Sequence, residues 1–263
     1  MVARVAFALL ATALTFAGCS SPKSAPAPYD PRDLPAGPVG RSISYGYSLI
    51  VETHRLMRGY VRADLTCAQC HLAAGMLPRG GSFVGTYARF PQWNRRAHRV
   101  IALQDRIAEC FLYSMNGKAP AYNSKEMIAI VSYIAWLSRG TAIGAKAAAS
   151  DSYIVPLPSA SPDVARGKAL YRQRCEECHQ ADGGGLGSVY PPLWGTRSFN
   201  QGAGMAHIDR MTGFVRYNMP QNAPGSLTLE QAYDVAAFVL SHARPRFRRN
   251  AVVTAPALPA KYF

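Results

Sequence analysis

An almost unbroken apolar run at residues 5–17 follows a single basic residue, Arg4, and the chain then turns rich in Ser, Pro, Ala and Gly through Pro38. Thirteen residues are too few to span a bilayer and have the length of a secretory signal. Beyond this segment, apolar positions recur at helical spacing. Residues 99–116 predict an amphipathic helix that ends at Asn116-Gly117, and on it Arg99, Leu103, Arg106, Cys110 and Ser114 share one face. Residues 124–138 carry Ile128, Val131, Ile134, Ala135 and Leu137 at similar steps. Asp163 is placed to cap a helix reaching Arg174, and Thr228 one reaching His242. Between these groups, residues 139–162 are rich in Ala, Gly, Ser and Pro and read as a linker. No segment alternates as a strand would, so the expected fold is mostly α.

Composition narrows the function classes. Of 263 residues, 49% are hydrophobic and 17% charged, which suits buried cores and excludes a chain disordered throughout. Lys and Arg total 29 against 15 acidic residues, a net charge of +14, which favours an anionic substrate, an acidic partner or a membrane surface. No zinc-ligand spacing, phosphate loop or basic recognition helix accompanies the charge, so nucleic acid is not the expected partner.

Six cysteines carry the chemistry. Cys67-Ala68-Gln69-Cys70-His71 and Cys175-Glu176-Glu177-Cys178-His179 are two copies of C-x-x-C-H. In this motif two thiols add to the haem vinyls and the adjacent His binds iron, so two covalently bound c-type haems are expected. A thiol–disulfide reading would leave both histidines as coincidence. Cys19 follows Phe16-Ala17-Gly18 and resembles a bacterial lipobox cysteine, which predicts export to the periplasm and a membrane anchor through lipid on Cys19. Cys110 remains unpaired. A buried structural cysteine is the bland alternative, but arginines near a thiol favour the thiolate, which is both a nucleophile and an iron ligand. For the second haem, Met219 lies 40 residues beyond His179 in Asn218-Met219-Pro220, a place suited to a distal thioether ligand; Met205 and Met211 compete. His54, His98, His207 and His242 fall in no pattern.

A resemblance extends over residues 42 to 245. Phe90-Pro91-Gln92, Arg96, Asp105-Arg106-Ile107, Cys110-Phe111 and Ser114-Met115-Asn116-Gly117-Lys118 resemble the first domain of di-haem thiosulfate dehydrogenases. Tyr190-Pro191-Pro192-Leu193-Trp194-Gly195, Gly202-Ala203-Gly204-Met205 and Asn218-Met219-Pro220 continue it in the second domain. The resemblance implies Cys110 as distal ligand of the first haem, with Arg96, Arg106 and Ser114 holding thiosulfate. It points to Met219 as distal ligand of the second haem. Some family members have Lys before this Met and exchange ligands; here the residue is Asn218, so a plain His/Met haem is expected. A helix before each haem motif and another closing each half resemble the class I cytochrome c plan.

The expected organisation is a signal at 1–18, a tether at 19–39, a cytochrome c domain at 40–138, the linker, a second cytochrome c domain at 163–245 and a basic tail at 246–263. The expected reaction joins two thiosulfates into tetrathionate, with electrons leaving through the second haem to a redox protein. The alternatives are a non-catalytic di-haem electron carrier and a Sox-type haem–thiolate subunit that carries sulfur for other enzymes.

Overall fold

The computed structural model describes residues 30–145, 152–187 and 189–247. Residues 1–29, and with them the signal and Cys19, lie outside the described residues, as does the tail from 248 onward.

Each half is built on a pair of helices that cross at a glycine. In the first half, α1 (Pro38–Val51) crosses the later helix (Lys125–Leu137) at Gly46, where a Cβ would stand 2.0 Å from the Ala129 carbonyl oxygen. In the second half, a helix over Val164–Arg174 crosses one over Leu229–Leu240 at Gly167, where a Cβ would stand 2.1 Å from the Asp234 carbonyl oxygen. Only glycine lets two helix backbones approach so closely. α1 begins at Pro38, so the first domain starts slightly inside the expected tether.

In chain order the longer helices after α1 are α2 (Leu103–Glu109), α3 (Lys125–Leu137), α4 (Val164–Arg174), α5 (Ile208–Asn218) and α6 (Leu229–Leu240). Both expected caps are in place: Asp163 accepts from Ala165 and Arg166, and Thr228 from Gln231. Ser124 caps α3 in the same way, accepting from the Met127 N–H. Asp234, fully buried on α6, accepts from the Asp163 N–H and from the Arg166 guanidinium, fastening the start of α4 to α6. On α3 the buried face is Met127, Ile130, Tyr133, Ile134 and Leu137, while Ile128 is half-exposed, so the apolar face is turned by one position from the spacing first read. Among the described residues, no helix is long and apolar enough to cross a membrane.

The segment 99–116 departs from a single helix. Arg99–Ile101 forms strand β2, paired antiparallel with β1 (Gln92–Asn94), and α2 starts only at Leu103. Two side chains enforce this break. Asn94 Oδ1 accepts from the Arg96 and Ala97 N–H groups, which closes the turn, and Asp105 caps α2 from inside by accepting from the Ala102 N–H. The fold is still mostly α, with this one hairpin in the first domain.

The two halves are joined by buried and ionic contacts. Asp64 pairs with Arg197 at 2.6 Å, and Asn218 Nδ2 donates to the Arg79 carbonyl at 3.0 Å. Asn200, fully buried, donates to the Leu112 carbonyl and, through its backbone N–H, to that of Tyr113.

Candidate functional site

The first C-x-x-C-H opens onto a cavity of about 420 Å³. Cys67, Cys70 and His71 line one side, and Arg106, Cys110 and Ser114 line another. His71 Nδ1 lies 2.6 Å from the Gly81 carbonyl oxygen, so Nδ1 carries the proton and Nε2 keeps its lone pair for a metal. Gly81 sits at φ +73, and a Cβ there would meet the Cys70 carbonyl and the His71 ring. Burial lowers the His71 pKa to about 4, so the ring is neutral as a ligand must be.

The second cavity, about 400 Å³, repeats the plan with Cys175, Cys178 and His179. His179 Nδ1 lies 3.0 Å from the Pro191 carbonyl oxygen, so the Pro-Pro-Leu-Trp-Gly block orients this ring. Burial again lowers the histidine pKa. Met205, Met211 and Met219 all line this cavity, and Met219 is the residue directly after α5. His54, His98, His207 and His242 line neither cavity; His242 stacks on Trp194 with 4.0 Å between ring centroids. Leu65, Thr66 and Cys70 line both cavities, so one layer of residues separates them.

The donor sets fit c-type haem and not a dithiol redox centre. Cys67, Cys70, Cys175 and Cys178 form no disulfide. Burial pushes the thiol of Cys67 up to about 12 and those of Cys70 and Cys175 to about 11, opposite to the depression that makes C-x-x-C thiols reactive in disulfide exchange. Each cavity is large enough for a bound cofactor and combines apolar walls with one neutral histidine.

Cys110 begins a π-helical turn, Cys110–Ser114, that continues α2. The wide turn is closed by the Met115 N–H donating to the Cys110 carbonyl. Its next free carbonyls, on Leu112 and Tyr113, are those taken by Asn200 of the second domain. Arg106, one turn earlier on α2, donates from Nη1 to Cys110 Sγ at 3.4 Å and lies the same distance from Glu109 Oε2. The negative charge available at Cys110, and that of Glu109, hold Arg106 in its charged form. Arg106, Cys110 and Ser114 therefore meet at one wall, as their spacing predicts.

Two other arginines, Arg99 of that helical pattern and Arg96 implied by the family resemblance, do not join them. Arg99 is in β2 and pairs with Asp105 at 2.8 Å. Arg96 does not line the cavity; it sits in the hairpin turn with its guanidinium 4.2 Å from the Tyr113 ring centroid. The helical reading misplaces Arg99 because the hairpin interrupts the helix. The cavity gains residues that the sequence reading left out. Arg89 and Gln92 come from the first domain, Ser152, Tyr153 and Ile154 from the linker, and Arg210 from α5. Among the described residues lining it there are three arginines and no carboxylate. The signal for the linker residues was faint: one aromatic in a stretch otherwise rich in small residues.

Comparisons with known proteins agree with this architecture. Residues 60–143 match the family described as SoxA/TsdA, cytochrome c domain, and residues 162–239 match that described as cytochrome c oxidase, cbb3-type, subunit III. The thiosulfate dehydrogenase of Allochromatium vinosum is 40% identical over 224 residues, which cover 82% of this chain and 83% of that one. That of Stutzerimonas stutzeri is 36% identical over 223 residues, covering 83% and 73% respectively. Among solved structures, thiosulfate dehydrogenase (TsdBA) from Marichromatium purpuratum superposes with a TM-score of 0.81 at 34% identity, covering 88% of this chain. This chain spans 53% of that longer protein. Two cytochrome c domains, each with its own C-x-x-C-H, give the protein two c-type haems. Taken with the agreement over four fifths of its length, this places the chain in the thiosulfate dehydrogenase family.

Proposed function

We propose that the protein oxidises thiosulfate at the Cys110 wall of the first cavity and joins two thiosulfates into tetrathionate. The observation that carries this reading is the Arg106–Cys110–Ser114 wall, in a cavity whose described lining holds three arginines and no carboxylate. Two thiosulfate dianions repel each other, and fixed guanidinium charge in a part-buried site offsets that repulsion more effectively than water does. Ser114 adds a hydroxyl donor on the same wall.

Cys110 divides the reaction into two steps. Its thiolate forms a sulfur–sulfur bond with the outer sulfur of the first thiosulfate, giving Cys–S–S–SO₃⁻ and releasing two electrons. The outer sulfur of the second thiosulfate then attacks that same sulfur. The bond to Cys110 breaks, tetrathionate leaves, and the thiolate is restored. Two c-type haems, one in each domain, supply a pair of one-electron acceptors. The residues shared by the two cavities place the halves of this relay side by side. Arg106 stabilises the thiolate whenever Cys110 is free to react.

In the second domain His179 and Met219 would hold the haem iron, which would supply a one-electron centre for delivery to an external redox protein. The same steps run backwards would reduce tetrathionate; the potentials of the two haems decide the direction. Cys19, with its preceding small residues, supports export to the periplasm and attachment to the membrane by a lipid anchor. Steady-state oxidation of thiosulfate by the holoprotein, with an artificial electron acceptor and tetrathionate measured as product, tests the reading. Absence of tetrathionate at full haem loading contradicts it.

A further inference from the structure

The first cavity is not closed by the first domain alone. On α5 of the second domain, Arg210, Gly213 and Phe214 follow i, i+3 and i+4 and share one face. The linker backbone lies on that face: a Cβ on Gly213 would stand 1.6 Å from the Tyr153 carbonyl oxygen, so no larger residue fits beneath it. The Tyr153 ring packs edge-on to Phe214 at 5.8 Å, and Tyr153 lines the first cavity together with Arg106, Cys110 and Arg210. Arg210 passes beside Gly204, where a Cβ would stand 3.0 Å from its Nη1, and reaches the lining of the first cavity. Its guanidinium makes no hydrogen bond or ion pair with any described residue. Arg106 has Glu109 and Cys110 as partners and Arg89 donates to Thr86 Oγ1, so the Arg210 guanidinium is the cation lining this cavity left without one among the described residues.

We propose that Arg210, aimed by Gly204 and sharing the lining of the first cavity with Tyr153, is a substrate-binding residue contributed by the second domain, and that it holds the sulfonate end of a thiosulfate whose outer sulfur faces Cys110. The inference rests on the thiosulfate reading above. It makes the site a two-domain site, in which bound anion draws α5 and the linker onto the first domain. A charge-assisted contact of this kind is worth about a tenfold change in affinity or more.

Two measurements test it. In the first, thiosulfate kinetics of Arg210→Ala, Arg210→Lys and Tyr153→Phe are compared with wild type, alongside redox titration of both haems. The expected result is a KM raised about tenfold or more in Arg210→Ala, largely restored in Arg210→Lys, with a smaller rise in Tyr153→Phe and unchanged haem potentials. A wild-type KM in Arg210→Ala overturns the inference. So does a shift of the first haem's potential at unchanged KM, which would assign Arg210 to a haem carboxylate. In the second, thiosulfate is titrated calorimetrically into Cys110→Ala holoprotein, where no turnover occurs, with and without Arg210→Ala. Equal affinity overturns the inference even if the wild type fails to oxidise thiosulfate, and a tenfold loss supports the anion site independently of turnover. Should Arg210→Ala not fold, Arg210→Gln, which keeps most of the side-chain length without the charge, takes its place in both measurements, and a wild-type KM and affinity in that variant overturn the inference.

Discussion

Arg106 Nη1 lies 3.4 Å from Cys110 Sγ, one helical turn back along the same wall. The contact follows from the i, i+4 spacing of the two residues, and the π turn that begins at Cys110 redirects only the side chains after it. It also gives Arg106 a different role from Arg96, whose guanidinium rests on the Tyr113 ring. Arg106→Ala removes a charge-assisted contact of about 1.5–3 kcal/mol and is expected to lower kcat/KM for thiosulfate about 10- to 100-fold. Arg96→Ala is expected to change it less than about threefold, within the range of an exposed cation–π contact. Steady-state kinetics of the two variants under one set of conditions checks the order; an equal or larger loss in Arg96→Ala contradicts it.

Asn200 is the second domain's hold on the π turn. It satisfies the carbonyls of Leu112 and Tyr113, and it is fully buried. Asn200→Ala leaves a buried carbonyl without its side-chain donor, a cost of about 1–3 kcal/mol. The expected outcome is a lower midpoint of thermal unfolding together with an altered absorption spectrum of the first haem, whose distal wall the turn carries. An unchanged spectrum at a lowered midpoint would show that the turn holds its shape alone.

Asp105 ties the hairpin to the start of α2. Burial works against its charged form, but hydrogen bonds from Arg99, Tyr122 and the Ala102 N–H outweigh that and hold its carboxyl below the usual carboxylate range. Because the folded value is depressed, the stabilisation is complete above the ordinary carboxylate pKa and is lost as pH falls through the folded value. Asp105→Asn is therefore expected to be about 1–2 kcal/mol less stable than wild type at pH 7, with the gap narrowing as the pH drops below about 4. Thermal unfolding of both proteins across that range measures it; a gap that stays constant with pH contradicts the ion-pair account.

Much of this architecture was legible in the sequence, and the limits were physical. Ser124, Asp163 and Thr228 announce their helices because capping is a local interaction, decided within three residues. The two haem motifs are equally local. The hairpin at 92–101 was missed because its strands span three residues each and depend on Asn94 and Asp105, polar side chains that no alternating pattern records. Arg106, Cys110 and Ser114 were found because they lie within two turns of one another. Tyr153 and Arg210 were not, because they reach the first cavity only through packing between α5 and the linker, which spacing along the chain does not encode.

Met219 bears on the second cavity rather than the first. It lines the second cavity, away from the Cys110 wall. Met219→Gly is expected to lower the potential of the second haem, since a thioether ligand raises it, and to slow electron delivery to the acceptor. Affinity for thiosulfate should stay at the wild-type value. Redox titration combined with KM separates these effects, and a changed KM at unchanged potential would contradict the assignment.

If Cys110 carries the sulfur chemistry, its loss must abolish turnover without disturbing haem attachment. Cys110→Ala leaves both C-x-x-C-H motifs intact, so intact mass should still show two covalent haems. Thiosulfate oxidation by that doubly loaded variant is the most direct measurement. The account predicts a loss of nearly all activity, at least about a thousandfold, as for removal of a covalent nucleophile. Oxidation at the wild-type rate by Cys110→Ala with two haems bound would contradict it and leave the protein an electron carrier.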